Sequence, residues 1–373
     1  MPAAPDSQFS RRTFLAVSAA AAASLAARPL IAQTNPEPKM LGFALVGVGS
    51  LTMGQLLPAF ASCKYAKPVA LVSGHPDKAR QQADRYGIGP KNIYNYENYD
   101  TMKDNPDIDV VYVVLPNSMH AEYTIRAAKA GKHVLCEKPM AVSVAECQAM
   151  IDACAAAKRK LMIAYRMHYE PMTIKAIELA RSAAEMGTIK MITAEAGFNM
   201  GSPAQWRCHK PLSGGGSLMD MGIYALNAVR YLSGQEPAEV AAVSYSTPND
   251  PRFTDIEETI SFELKFESGM VASVLSTYGF GCGRFRVYGT RGQLEAEPFQ
   301  SYQGNHLYST RGRTRQEVQF EPANHFATEM DDFCRCIATD TASRTPGEEG
   351  LKDIRIMMAA YESARTGRAV KIV

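Results

Sequence analysis

The sequence predicts an α/β protein. An N-terminal doubly wound parallel sheet is followed by a C-terminal α+β domain whose large, mostly antiparallel sheet is open on one face. Three observations predict it. From Leu41 to Tyr165, short apolar runs alternate with helical periodicity, as crossover-connected parallel strands require. Beyond Glu170, strand-like runs follow one another with few helices between them. The chain has 373 residues, 46% of them hydrophobic, which is enough for two domains that need no disulfide or metal staple.

The first 33 residues stand apart from this pattern. "SRRTFL" at Ser10–Leu15 leads into an Ala-rich run to Ala27 without a charge. An Arg pair, an apolar stretch and small residues resemble a twin-arginine export signal, cleaved within 26–33. The alternative is an Ala-rich helix that merely follows two arginines. The run is short for a membrane span, which takes about 20 residues. Thr34–Met40 then reads as a short polar arm. This predicts a chain that folds around a cofactor, passes the twin-arginine translocase into the periplasm and is free of the membrane after cleavage.

Leu41–Val46 reads as the first strand, "GVGSLT" (Gly47–Thr52) as a turn, and Met53–Cys63 as a helix. That order is the context of a Rossmann-type dinucleotide fingerprint. Gly47 permits the tight turn, and Gly49 lets backbone approach a pyrophosphate. Ser50 and Leu51 open the helix end whose N–H groups face that anion. Thr52 stands where a third glycine is usual.

The second strand, Val69–Val72, runs into "SGHPDK". An NAD site usually ends this strand with an acid for the ribose hydroxyls. Here Ser73 and Gly74 take the corner with Lys78 nearby, which favours a 2′-phosphate and hence NADP. Asp77 reads as the cap of the next helix. The strand Val110–Leu115 leads to Asn117, His120 and the helix Ala121–Ala130. His133–Cys136 leads to "EKP" at Glu137–Pro139, and Leu161–Tyr165 to Arg166. Ligands of such sheets bind at the carboxyl ends of the strands, so Leu115, Asn117, His120, Glu137, Lys138 and Arg166 converge on one crevice.

In the second half, Ile189–Phe198, Val240–Tyr245, Thr259–Phe266, Val271–Tyr278, Arg284–Tyr288 and Gln293–Ala296 read as strands. A helix is predicted over Ser217–Leu232. Ser217 and Asp220 form its capping box, Gly214–Gly216 a flexible entry, and Gly222 leaves room for a ligand ring. A long amphipathic helix runs from Glu348 to a closing Gly367. The predicted domains are 41–165, 166–347 and a C-terminal helix and tail at 348–373 that packs back on the core. The open sheet face predicts a homo-oligomer, a dimer at least.

Net charge is +2 and no basic cluster alternates with aromatics, so nucleic acid is not an expected partner. The eight cysteines form no C-x-x-C pair and read as buried thiols, and no metal site is predicted.

Four segments in order, "EKP" (137–139), "AYRMHYEP" (164–171), "GGGSLMDMGIYALN" (214–227) and "EEGLKDIRIMMAAYESARTGRAV" (348–370), resemble the Gfo/Idh/MocA oxidoreductases. Within that family the chain is most similar to the glucose–fructose and periplasmic aldose–aldose oxidoreductase branch. The resemblance covers nearly everything from Leu41 onward. It implies that Lys138 lies between nicotinamide and substrate, that Asp220 is the active-site acid, and that Tyr224 stands where many relatives carry His. It makes Ser73 and Lys78 contacts of an NADP 2′-phosphate and Trp206–Arg207 a cofactor-binding pair. The arginine-bearing arm of that branch is missing from Thr34–Met40.

The implied reaction keeps NADP bound. One aldose is oxidised at C1 to a lactone, and a second sugar is reduced to an alditol, in ping-pong fashion. Asp220 and Tyr224, four residues apart, would share one helix face. An ammonium such as Lys138 beside Tyr224 would favour the tyrosinate that can act as base. The alternatives are an aldose 1-dehydrogenase with exchangeable NADP, an NAD-dependent glycosidase of the same superfamily, and a sugar-binding protein with a degenerate site.

Overall fold

A computed structural model describes residues 38–372. The export-signal reading and the start of the polar arm lie outside the described residues. The first sheet comprises Leu41–Val46 (β1), Ala66–Val72 (β2), Ile93–Tyr94 (β3), Val110–Val113 (β4), His133–Glu137 (β5) and Leu161–Ala164 (β6). All six are parallel, in the order β3-β2-β1-β4-β5-β6. Every residue of β1 and β4 is buried, which is why both read as unbroken apolar runs. Strand order reverses between β1 and β4, and the crevice at that switch point is where such sheets take ligands.

The second sheet has nine strands. They are Ile189–Gly197 (β7), Glu239–Tyr245 (β8), Thr259–Lys265 (β9), Val271–Thr277 (β10), Cys282–Gly289 (β11), Gln293–Ala296 (β12), Leu307–Arg311 (β13), Thr314–Glu317 (β14) and Val370–Lys371 (β15). Their order is β14-β13-β12-β11-β7-β10-β9-β8-β15, antiparallel except for β7 beside β10. In β9, Ile260, Phe262 and Leu264 face the core while Glu263 and Lys265 face outward, the period-2 pattern of a sheet covered on one side.

One apolar cluster runs from Val46 and Val72 through Met140 and Ile354 to Ile192 and Phe262, so the two sheets share a core. The helix Gly347–Thr366 contributes to it, packed between β8 and the helix Val144–Ala156. The helix His325–Ala338 lies far along the chain, yet packs against β2 and the short turn Arg166–Tyr169. All eight cysteines are free thiols.

Two local expectations need correction. The segment after the glycine turn is not one α-helix. Thr52–Leu56 is wound as a π-helix, Leu57–Ala59 as α and Phe60–Ser62 as 3₁₀. The Thr52 hydroxyl donates to Gly47 O at 2.6 Å, so the residue replacing the third glycine ties the turn to the helix. Asp77 does not cap its helix. His75 holds the cap position without a side-chain bond, and Asp77 pairs with Arg80 in solvent.

Candidate active site

A cavity of about 870 Å³ opens at the carboxyl ends of the first sheet and is closed by groups of the second half. At one end lie Gly47, Gly49, Ser50 and Leu51. Gly47 has φ +100°, and a Cβ there would sit 2.1 Å from Val114 O, so only glycine fits this turn. The adjoining corner holds Ser73, Gly74 and Lys78, joined by His75 and Tyr96. The Ser73 hydroxyl accepts from the His75 N–H at 3.0 Å, fixing the turn. Among the described residues, no carboxylate lines this corner.

Leu115 and Asn117 form the middle wall, and the Asn117 amide donates to Ser213 O at 2.8 Å, linking the two halves. His120 is the exception among the predicted site residues. It is fully buried outside the cavity lining, with ring nitrogens 2.8 Å from Pro139 O and 2.9 Å from Leu115 O. The strand-end position was read correctly, but the side chain folds under the loop. It clamps the backbone on either side of the crevice instead of meeting a cofactor.

The other end of the cavity is where the halves meet. Lys138 Nζ donates to Asp220 O at 2.8 Å and lies 3.3 Å from Asp220 Oδ1. Asp220 Oδ2 accepts from Arg207 Nε at 2.8 Å and from the Tyr278 hydroxyl at 3.2 Å. Burial alone would raise the Asp220 carboxyl, but Arg207 and Lys138 prevail and hold it well below the usual carboxylate range. Burial would lower Lys138, but the oxygens around it at Tyr224, Asp220 and Glu137 keep it above its ordinary value. Glu137, pushed up by burial and only partly offset by Lys138, lines the cavity and accepts from the Tyr112 hydroxyl at 2.9 Å.

Tyr224 faces the same space, but its relation to Lys138 differs from expectation. The ammonium lies 4.4 Å from the ring centre, a cation–π contact. The tyrosine oxygen is reached instead by Arg166 Nε at 3.3 Å. Arg166 is buried and is further anchored by Gln300 O and Ser301 O. Its guanidinium stacks on Tyr302 at 4.8 Å. Trp206 and Arg207 also line the cavity, stacked on each other at 4.6 Å. Arg207 is thus committed to Asp220 as well as facing the cavity.

The helix that carries Asp220 and Tyr224 starts differently from the capping box. Ser217 makes no capping bond. Glu257, forty residues on, takes over: its carboxylate accepts from Gly216 N at 2.8 Å and Leu218 N at 2.9 Å. Tyr361 donates to the same carboxylate at 3.0 Å. The three glycines are a packed junction and not a flexible entry. A Cβ would fall 2.5 Å from Val142 at Gly214, 2.2 Å from Tyr361 at Gly215 and 2.0 Å from Glu257 O at Gly216. Gly222 admits Ser276 of β10, 2.9 Å from its would-be Cβ, and not a ligand ring.

Tyr302, Gln300 and Phe326 complete the walls, and the buried Tyr278 backs Asp220 from outside the lining; none of the four was read from the sequence. Tyr278 follows β10 directly, so the strand-end rule applied to the first sheet would have found it. Nothing local marks the others.

Comparison with known proteins agrees with this architecture. The family description "Oxidoreductase family, NAD-binding Rossmann fold" matches residues 41–165, and "Oxidoreductase family, C-terminal alpha/beta domain" matches 182–372. The crystal structure of aldose–aldose oxidoreductase from Caulobacter crescentus, complexed with glycerol, superposes with a TM-score of 0.88. It is 45% identical, over 89% of this chain and all of that one. D-xylose 1-dehydrogenase (NADP(+)) 2 of Haloferax volcanii is 32% identical, over 88% of this chain and 99% of its own. Levoglucosan dehydrogenase in complex with NADH and levoglucosan is 25% identical with a TM-score of 0.79, covering 89% and 99% of the two chains. Both halves of the family description, in order and over most of the chain, place this protein in the Gfo/Idh/MocA oxidoreductase family.

Proposed function

We propose that this protein is a sugar oxidoreductase that holds NADP(H), oxidises an aldose at C1 to its lactone and reduces a second sugar to an alditol by a ping-pong route. The observation that carries it is the contact of Lys138 with Asp220 across the two halves, which sets Tyr224 beside them in one cavity. Similarity to an aldose–aldose oxidoreductase at 45% identity supports the substrate class.

The residues present fit a dinucleotide. The Gly47 turn, which a Cβ would block, opens the cavity, and the Lys138 group ends it. A bound nicotinamide would supply the hydride acceptor and donor. Gly47–Leu51 would hold the pyrophosphate, and Ser73 and Lys78 the 2′-phosphate. The absence of an acid at Ser73 supports NADP, as does the NADP(+) in the xylose dehydrogenase's name. The levoglucosan dehydrogenase complex contains NADH, so the family uses both.

The protein's own groups handle the proton. The Tyr224 oxygen takes it from the C1 hydroxyl and later returns it to the carbonyl oxygen of the second sugar. Arg166 at that oxygen and Lys138 over the ring stabilise the negative charge that the oxygen bears before it takes the proton and again after it gives the proton up. Asp220, ionised and held by Arg207 and Tyr278, fixes Lys138 and accepts from sugar hydroxyls. The test is to supply glucose to the purified protein without nucleotide. Gluconolactone and sorbitol in equal amounts are expected; no product until NADP⁺ is added would refute bound-cofactor dismutation. A second reading, an aldose 1-dehydrogenase with exchangeable NADP, is favoured by the xylose dehydrogenase relative; it would make no product without nucleotide and would accumulate NADPH and lactone, with no alditol, once NADP⁺ is added.

Two further parts belong to this proposal. The "SRRTFL" segment supports export folded to the periplasm, tested by fractionation with and without a functional twin-arginine translocase. On the second sheet's outward face, Val243 and Tyr245 are 70% and 58% exposed, which supports a homo-dimer, tested by light scattering.

A further inference from the structure

A second cavity, of about 520 Å³, lies between the helices Pro171–Arg181 and Ile223–Ser233. It shares two elements with the active site. The turn Arg166–Tyr169 sends Arg166 to Tyr224 and His168 to this second cavity. The helix Ile223–Ser233 gives Tyr224 to the first, and Asn227 and Tyr231 to the second. We propose that this cavity binds a small polyhydroxylated monocarboxylate, a molecule of the sugar-acid class.

The charge argument comes first. Arg230 is enclosed by Glu236, Glu349 and Asp353 at 2.7–2.8 Å, and Lys352 pairs with Glu236 and Glu349 at 3.2 and 2.8 Å. These two cations and three carboxylates leave one negative charge over, against the two positive charges of Arg181 and Arg344. Arg181 and Arg344 have no carboxylate partner among the described residues. They are pinned by backbone carbonyls instead. Arg181 donates to Tyr231 O at 2.6 and 3.0 Å, and Arg344 to His168 O at 3.1 Å. Arg344 also rests on the Tyr169 ring at 5.2 Å. A guanidinium held in place with donors to spare is suited to a carboxylate.

The second argument is a fixed acceptor. Asn227 Nδ2 donates to Asp353 Oδ2 at 2.9 Å, which orients the amide. Its Oδ1 therefore accepts from His168 Nε2 at 3.0 Å, and His168 carries its proton there. Burial pushes this imidazole down to about 4, so Nδ1 remains a lone-pair acceptor on a residue that lines the cavity. Only a donor such as a hydroxyl satisfies it. The Tyr231 ring, edge-on to His168 at 4.7 Å, and Ile177 offer apolar surface to C–H groups. An inorganic anion would answer the guanidiniums and leave the acceptors facing it. A neutral sugar would do the reverse.

The test uses the full cofactor-loaded protein and titration calorimetry with D-gluconate, sorbitol and inorganic phosphate. Gluconate is expected to bind at least tenfold more tightly than either control, and to bind equally well to Tyr224→Phe protein whose active site is saturated with an aldose that this variant does not turn over. Arg181→Gln with Arg344→Gln should weaken it tenfold or more and leave sugar turnover unchanged. Arg344→Gln alone, at an exposed side chain, should move binding the same way should the double variant fail to fold. The proposal is overturned by no binding at 10 mM, by binding that saturating substrate abolishes, by insensitivity to these substitutions, or by phosphate or sorbitol matching gluconate.

Discussion

Arg166 Nε donates to the Tyr224 oxygen at 3.3 Å, while Lys138 sits over the same ring, 4.4 Å from its centre. The tyrosine is thus gripped by two cations in different ways, one at the oxygen and one at the π face. Replacing Tyr224 with Phe keeps the ring and its cation–π contact and removes only the oxygen. Turnover should fall by roughly 10²–10⁴-fold, the range for loss of a proton-transfer group. Bound NADPH fluorescence should be unchanged. Turnover within threefold of the parent would remove Tyr224 from the proton path.

Asp220 carries a pH prediction. Its folded-state carboxyl is held below its unfolded value by Arg207 and Lys138 against burial. Such a group stabilises the fold above the unfolded value of about 3.9, and that contribution is lost as pH falls through the lower folded value. Asp220→Asn should therefore be less stable than the parent at neutral pH, and the gap should narrow below about pH 4. Thermal unfolding from pH 2.5 to 7 checks this. A gap independent of pH would mean the ion pairs add nothing.

Glu257 anchors the helix start, so Glu257→Ala should cost about 2 kcal/mol in urea unfolding through unpaired N–H groups at Gly216 and Leu218. Glu257→Gln, which keeps one acceptor, should cost less. Equal losses would make the effect one of packing alone.

Gly215→Ala places a methyl 2.2 Å from the Tyr361 oxygen. Overpacking of this kind costs about 1–3 kcal/mol, again readable in urea. A neutral result would restore the flexible-entry reading.

Cofactor choice is tested at the end of β2. Ser73→Asp puts a carboxylate where a 2′-phosphate would sit, and should lower the ratio of NADP to NAD affinity at least tenfold. An unchanged ratio would move the discriminating contact elsewhere.

The sequence revealed what depends on local pattern. Five of the first sheet's six strands, the Gly47 turn and the strand-end place of Lys138 followed from apolar runs, glycines and motif. Long-range effects stayed hidden. Glu257 displaces the local cap from across the chain, and nothing near Ser217 announces it. His120 has the right address and the wrong direction, because side-chain orientation depends on the loop above it. β14, "TRQE", is exposed throughout and so has no apolar alternation to read. The helix His325–Ala338 joins the first sheet's face only through folding of a distant segment.

The π-helical winding of Leu218–Gly222 has an evolutionary corollary. There the Ile223 N–H reaches Leu218 O, five residues back rather than four. The helix therefore accommodates one residue more than regular α winding would. A single-codon insertion into an ordinary helix suffices to create that register, and a single-codon deletion to erase it. Removing Met221 should leave a regular helix in which the acid and the tyrosine stand three residues apart, still on one face but about 60° from each other around the axis. The alignment of the acid with the tyrosine is, in genetic terms, one triplet away from another register.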